Sequence, residues 1–337
     1  MRAPGVATNG GGTGGPERTP ARPSALAPVR LDVKSDGVRL AVYVSGPPDA
    51  PPLILVHGYP DSARVWDALR RELQSRYRVI AYDVRGAGAS EAGKRRADYR
   101  LPQLARDLIA VADATCGARP FHLVAHDWGA IQSWEAVTEP ANAARIASFT
   151  SISGPCLDHV FRARVSFGQL MKSWYIAFFH LPLVPQFVWR LGGAALWPWW
   201  LRKTEGVRAP RDPDQLRNCL NGLQLYRANF IARALRPRER RTRIPVQFIV
   251  PRFDRYVAPA LSVGVSQWLG RYRREVVDAP HWTVLRDAAS IAARIERFIA
   301  WAQRETSASS PAAAGADYAD TGPPAEATLE QPLAGGV

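Results

Sequence analysis

An α/β fold built on a mostly parallel sheet is what the 337-residue sequence predicts, and three observations carry that expectation. Short apolar runs alternate with helix-length amphipathic segments, as parallel strands and their crossover helices require. The alternation breaks once, from Pro155 to about Arg243, where no strand signal occurs. Around Asp127 a strand-like run, a tight turn with small residues at both ends and a helix follow one another.

The elements follow in order. Residues 38–44, 53–56, 78–82, 121–125, 146–151, 246–250 and 275–277 are rich in Val, Ile, Leu, Tyr and Phe and read as strands. Residues 63–74, 101–114, 128–138, 257–269 and 288–303 are long enough for helices and carry apolar residues at helical spacing. The strand-free stretch is helical or irregular and heavily aromatic, so residues 155–243 read as a helical cap inserted into one core. Residues 30–154 and 244–305 would form the two parts of that core. Residues 1–29 and 306–337 are rich in Gly, Pro, Ala and Thr, and both are expected to be disordered.

Charge and cysteine content narrow the function. Forty-four Lys and Arg oppose thirty Asp and Glu, a formal +14, and only Lys34, Lys94, Lys172 and Lys203 are lysines. Such a balance draws phosphate, yet the arginine clusters are short and separated, and no helix-turn-helix or zinc-finger pattern accompanies them. Nucleic acid is not expected as a partner. Cys116, Cys156 and Cys219 are odd in number and lack metal or disulfide spacing, which points to a reducing, cytoplasmic compartment. Residues 1–28 hold no apolar run of the kind a signal peptide or anchor needs. They contain a Gly10-x-Gly12-x-x-Gly15 match, but no strand precedes it, so a dinucleotide site is not expected.

The chemistry centres on Ala125-His126-Asp127-Trp128-Gly129. A strand, a crowded turn and a helix present the central side chain at the carboxyl edge of a sheet, as a nucleophile elbow does. Here that side chain is Asp127, already an anion at neutral pH and in no need of an activating base. Carboxylate attack on an acyl group would give a reactive anhydride, whereas attack on a strained or activated sp3 carbon gives an ester that water can cleave. Epoxides and alkyl halides are therefore favoured over esters and peptides.

His57-Gly58-Tyr59-Pro60 follows the strand 53–56, so the N–H groups of Tyr59 and Trp128 can form an oxyanion hole. Asp254 follows the strand 246–250 and His281 the strand 275–277. The order nucleophile, acid, histidine suits a base at His281, oriented by Asp254, that activates water in the second step.

These motifs, with Asp83-Val84-Arg85-Gly86-Ala87-Gly88-Ala89-Ser90, resemble the epoxide hydrolase family of the α/β-hydrolase fold across residues 30–305. The likeness is nearest to actinobacterial members that continue into a short-chain dehydrogenase domain. It implies an eight-stranded, mostly parallel sheet with a helical cap between the core halves. It also implies two cap tyrosines that hold and protonate the epoxide oxygen. The Trp174-Tyr175 segment and the Leu225-Tyr226 segment place Tyr175 and Tyr226 in those roles. His57, Trp128, Phe179 and Trp282 are the implied substrate contacts.

Read from the residues alone, Tyr175 has the spacing of a core aromatic. Tyr226 lies nearer Cys219 and Gly222, whose small side chains leave room for a cavity. Tyr59 after His57-Gly58, and Trp128 after the nucleophile, argue against dehalogenase relatives, which place Asn and Arg there. A haloalkane dehalogenase-like enzyme remains the alternative, and a non-catalytic ligand-binding or membrane-surface protein is the reading from another class.

The expected reaction is hydrolysis of a small hydrophobic or lipid epoxide to a diol with water, without metal or organic cofactor. The runs 183–189 and 196–203, the latter ending in Arg202-Lys203, are apolar enough to suit cap packing, a lipid substrate or peripheral contact with a membrane surface.

Overall fold

The computed structural model describes residues 27–163, 169 and 172–308. Eight strands form one sheet in the order β1-β2-β4-β3-β5-β6-β7-β8: β1 (Val29–Ser35), β2 (Val38–Ser45), β3 (Pro52–Val56), β4 (Arg78–Tyr82), β5 (Phe121–His126), β6 (Ile146–Ile152), β7 (Val246–Pro251) and β8 (Tyr272–Val277). β2 pairs antiparallel with both β1 and β4, and every other pairing is parallel.

The central strands β3, β5 and β7 are buried at every position, which explains why they read as mainly apolar runs rather than as alternating patterns, with His122 and Gln247 as buried polar interruptions. One side of the sheet packs Leu40, Ile54, Leu123, Trp134 and Phe149. The other packs Leu53, Leu55, Trp66, Leu69 and Ile295. Helices α1 (Asp67–Leu73), α2 (Leu101–Cys116), α3 (Trp128–Val137), α9 (Thr283–Arg286) and α10 (Ala288–Ala308) belong to this part of the chain.

Three expectations need correction. Residues 257–269 do not form a helix but two short 3-10 turns, Pro259–Ser262 and Ser266–Trp268. The backbone leaves helical geometry at Val263, which is extended (φ −100°, ψ 150°), and at Gly264, which is left-handed (φ 70°), so the run is cut in two. The strand β1 escaped the sequence reading because it is an edge strand with little buried apolar surface. Finally, α10 runs through the expected boundary at 305/306 and β1 begins at Val29, inside the expected N-terminal tail; residues 1–26 and 309–337 lie outside the described residues.

Between β6 and β7 the chain forms α4 (Leu157–Arg162), α5 (Trp174–His180), α6 (Val184–Val188), α7 (Ala194–Thr204) and α8 (Gln215–Leu235), with no strand among the described residues. This insertion is fastened to the core by polar groups. Asn229 on α8 accepts from Leu101 N–H and donates to the Tyr99 carbonyl, and Asn218 accepts from Gly88 N–H. Arg233 and Arg240 meet the buried carboxylates of Glu135 and Asp158. Arg238, exposed in part, also donates to Glu135. Part of the arginine excess is therefore structural.

Candidate active site

Four strands deliver the expected catalytic residues to one edge of the sheet. Tyr59 follows β3, Asp127 follows β5, Asp254 follows β7 and His281 follows β8. Each lies just past a carboxyl end, where parallel sheets of this kind place their sites.

Asp127 occupies a sharp turn with φ 50° and ψ −124°, a conformation that costs a non-glycine residue of order 1–3 kcal/mol. Small neighbours make the turn possible. A Cβ on Gly129 would run into the Val56 carbonyl, so β3 and α3 can approach only with glycine there. The amides of Tyr59 and Trp128 both donate to the Asp127 carboxylate, that of Tyr59 reaching Oδ2 at 2.8 Å. Asp127 Oδ1 lies 3.7 Å from His281 Nε2. One carboxylate oxygen is thus held by the backbone while the other faces the imidazole.

Behind the ring, His281 Nδ1 meets Asp254 Oδ2 at 2.8 Å, and Asp254 Oδ1 accepts from the amides of Tyr256 and Val257 at 2.8 Å each. Burial alone would raise Asp254, but His281 and these donors hold it below the usual carboxylate value. Burial likewise opposes a charged His281, and the carboxylates of Asp254, Asp127 and Glu205 outweigh it, raising the imidazole to about 9. Asp127 is pushed up by burial against the pull of His281 and the two amides.

A cavity of about 580 Å³ opens over Asp127 and is lined by Trp128, Tyr175, Tyr226, Phe230 and Tyr256 among others. Tyr175 and Tyr226 stand with ring centroids 6.0 Å apart, and burial raises both phenols well above their ordinary value, so they stay protonated. α5 and α8 therefore bring both expected tyrosines to the wall that holds the carboxylate.

Three expected substrate contacts do not line this cavity. His57 is fully buried, with Nε2 accepting from Val84 N–H and Nδ1 beside the Gly58 carbonyl, so its ring braces the turn before Tyr59. Trp282 packs against His281 and donates to Asp61 Oδ2. Phe179 packs behind Tyr59, Tyr175 and Tyr226. The room beside Cys219 and Gly222 is also taken: a Cβ on Gly222 would strike the Tyr59 ring, whose hydroxyl donates to the Cys219 carbonyl. That space seats Tyr59 rather than a ligand.

Two carboxylates near the site went unread in the sequence. Glu205, at the end of α7, accepts the His281 N–H with Oε2 at 3.0 Å; its side chain is fully buried, and Oε1 has no hydrogen-bond partner. Asp61 takes the Trp282 indole, and burial pushes it up to about 7. Tyr256, whose ring lies 5.0 Å from that of His281, was equally unforeseen. No local pattern marks any of the three, because each acquires its neighbour from a distant part of the chain. Among the described residues no cluster of His, Cys, Asp and Glu could hold a metal ion.

An aspartate on a strained elbow, backbone donors aimed at it and an acid–histidine pair at one sheet edge are the arrangement of an α/β-hydrolase. A model of the alpha/beta hydrolase fold family matches residues 51–288, and the chain belongs to that family. Within it the protein is epoxide hydrolase-like. It is 32% identical to the probable oxidoreductase EphD of Mycobacterium tuberculosis over 291 residues, 80% of this chain and 49% of that one. It is 35% identical to epoxide hydrolase A of the same organism over 163 residues, 46% of this chain and 49% of that one. The chain thus spans about half the length of the curated relatives it matches. An epoxide hydrolase of Bacillus megaterium, solved with an inhibitor, superposes with a TM-score of 0.70 at 21% identity, covering 80% of this chain and 100% of that one. One from Vigna radiata gives 0.67 at 22%, covering 82% and 99%. At these identities the two structures speak for the fold.

Proposed function

We propose that this chain hydrolyses a hydrophobic epoxide to a vicinal diol through a covalent ester on Asp127, with residues 155–243 acting as the cap over the site. The observation that carries the reading is the shared cavity: Asp127 on its floor, and Tyr175 and Tyr226 on its wall. Asp127 Oδ1 attacks a ring carbon, the carbon–oxygen bond breaks, and the departing oxygen takes a proton from a phenol. A phenol suits that role because it keeps its proton until an alkoxide forms.

The second step uses the groups behind the nucleophile. Water attacks the ester carbon while His281 takes its proton, and the negative charge gathers on Oδ2, already held by the Tyr59 amide, with the Trp128 amide also directed at the carboxyl group. Collapse releases the diol: His281 passes its proton to the leaving oxygen, and the water's second proton, left on the new Asp127 carboxyl group, restores the phenol. Alkylation also prepares the base. Esterifying Asp127 removes one of the carboxylates that hold His281 protonated, so the imidazole becomes easier to neutralise when a base is needed.

The mostly apolar lining, with Ile131, Leu157, Phe161 and Phe230, suits a hydrophobic or lipid epoxide. The buried, unpaired Cys116, Cys156 and Cys219 suit a reducing, cytoplasmic setting.

The test is mass spectrometry of His281→Gln mixed with a styrene oxide and fatty epoxide panel. The expected result is an adduct on Asp127 that turns over slowly. Absence of any adduct, together with no diol from the unaltered protein, overturns the reading.

A further inference from the structure

We propose that the outer face of residues 181–203 seats on an anionic lipid surface. Helices at a protein surface ordinarily turn polar residues outward. Here Pro185, Ala194 and Leu201 are buried, and Trp197 packs on Trp189 and Trp282, so the segment already has an inward face. Its outward face is apolar as well: Leu183, Phe187, Leu191 and Leu196 are 60–77% exposed, and Trp199 and Trp200 are about half exposed. Apolar side chains on a surface are ordinarily scattered singly, whereas here six large ones stand open within one short stretch of chain.

Charge selects the occupant. The sequence has no acid between Asp158 and Glu205, while Arg190, Arg202 and Lys203 are exposed among the apolar residues. Exposed Trp and Leu rimmed by bases match a headgroup layer of negative lipid, where indole sits at the interface and each base gains from the surface potential. A second copy of the chain docking by a two-fold axis would set these like charges against each other. No described helix is long and apolar enough to cross a membrane, so the contact is peripheral. The face begins at Leu181, directly after α5, whose Tyr175, Ile176, Ala177 and His180 line the cavity. Docking would therefore bring the cavity close to the lipid.

The experiment is co-sedimentation of the full chain with phosphatidylcholine vesicles, alone and doped with phosphatidylglycerol. Binding is expected to the doped vesicles and to fall with salt. Replacing Arg202→Gln with Lys203→Gln should weaken it about 25-fold, about fivefold for each base. Leu183→Ser with Phe187→Ser should weaken binding whatever the salt. Because all four side chains are exposed, diol formation or far-UV circular dichroism should match the parent chain. Equal binding to both vesicle types, or no loss in either pair of variants, overturns the proposal. A concentration-dependent dimer that Leu183→Ser with Phe187→Ser abolishes overturns it too, assigning the face to a second copy.

Discussion

The backbone N–H of His281 is held at 3.0 Å by the buried carboxylate of Glu205, a residue that the helical insertion supplies. His281 is thereby tied to the core through its ring, by Asp254, and to the insertion through its backbone, by Glu205. The position of the insertion and the basicity of His281 are linked through this contact.

Replacing Glu205→Gln keeps an oxygen to accept the His281 amide and removes the charge. The expected outcome is a lower pKa for His281, with ester hydrolysis reaching half its plateau at lower pH and alkylation nearly unchanged. Glu205→Ala loses the acceptor as well and should cost about 1–3 kcal/mol of stability. Single-turnover pH profiles and urea unfolding separate the two effects.

The phenols should act in the first step. Tyr175→Phe and Tyr226→Phe are each expected to slow alkylation, and the double variant to slow it by about a hundredfold or more, the range of general acid catalysis. Stopped-flow measurement of ester formation, alongside its decay, checks this. Equal slowing of both steps would remove the tyrosines from the acid role.

Asp254→Asn leaves a neutral partner for His281 Nδ1 and removes the charge that stabilises an imidazolium. By the general behaviour of acid–histidine pairs, hydrolysis should fall by about 10⁴-fold while the adduct on Asp127 still forms. Accumulated adduct in the mass spectrum is the expected sign.

Stability should depend on pH through the same histidine. Its folded value of about 9 lies above the ordinary 6.5, so the contribution is fully present below 6.5 and is lost as pH rises through 9. That rise corresponds to on the order of 3 kcal/mol. Urea midpoints should fall between about pH 6 and pH 10, and His281→Gln should flatten that dependence.

Glu135 compensates Arg233 and Arg240, which are about nine-tenths buried, together with the more exposed Arg238. Glu135→Ala leaves Asp158 as the one remaining carboxylate for both buried guanidinium groups and should lower the urea midpoint.

By itself the sequence determined what local pattern can carry. Strands buried on both faces are mainly apolar, so β3, β5 and β7 are legible as runs despite His122 and Gln247. A strained elbow demands small neighbours, so Asp127 is marked by the residues beside it. Asp254 and His281 are marked by falling just past the ends of their strands. Tertiary structure decided the rest, because each remaining role depends on a neighbour distant in the chain. Glu205 is 76 residues from His281, and Tyr59 fills the room at Gly222 that the sequence suggested for a ligand. His57, conspicuous beside Gly58, turned out to spend both ring nitrogens on backbone groups. The stretch 257–269 has helical spacing, but its backbone turns extended at Val263 and left-handed at Gly264. Periodicity records which faces are buried, whereas hydrogen-bond partners across the fold are fixed only when distant segments meet.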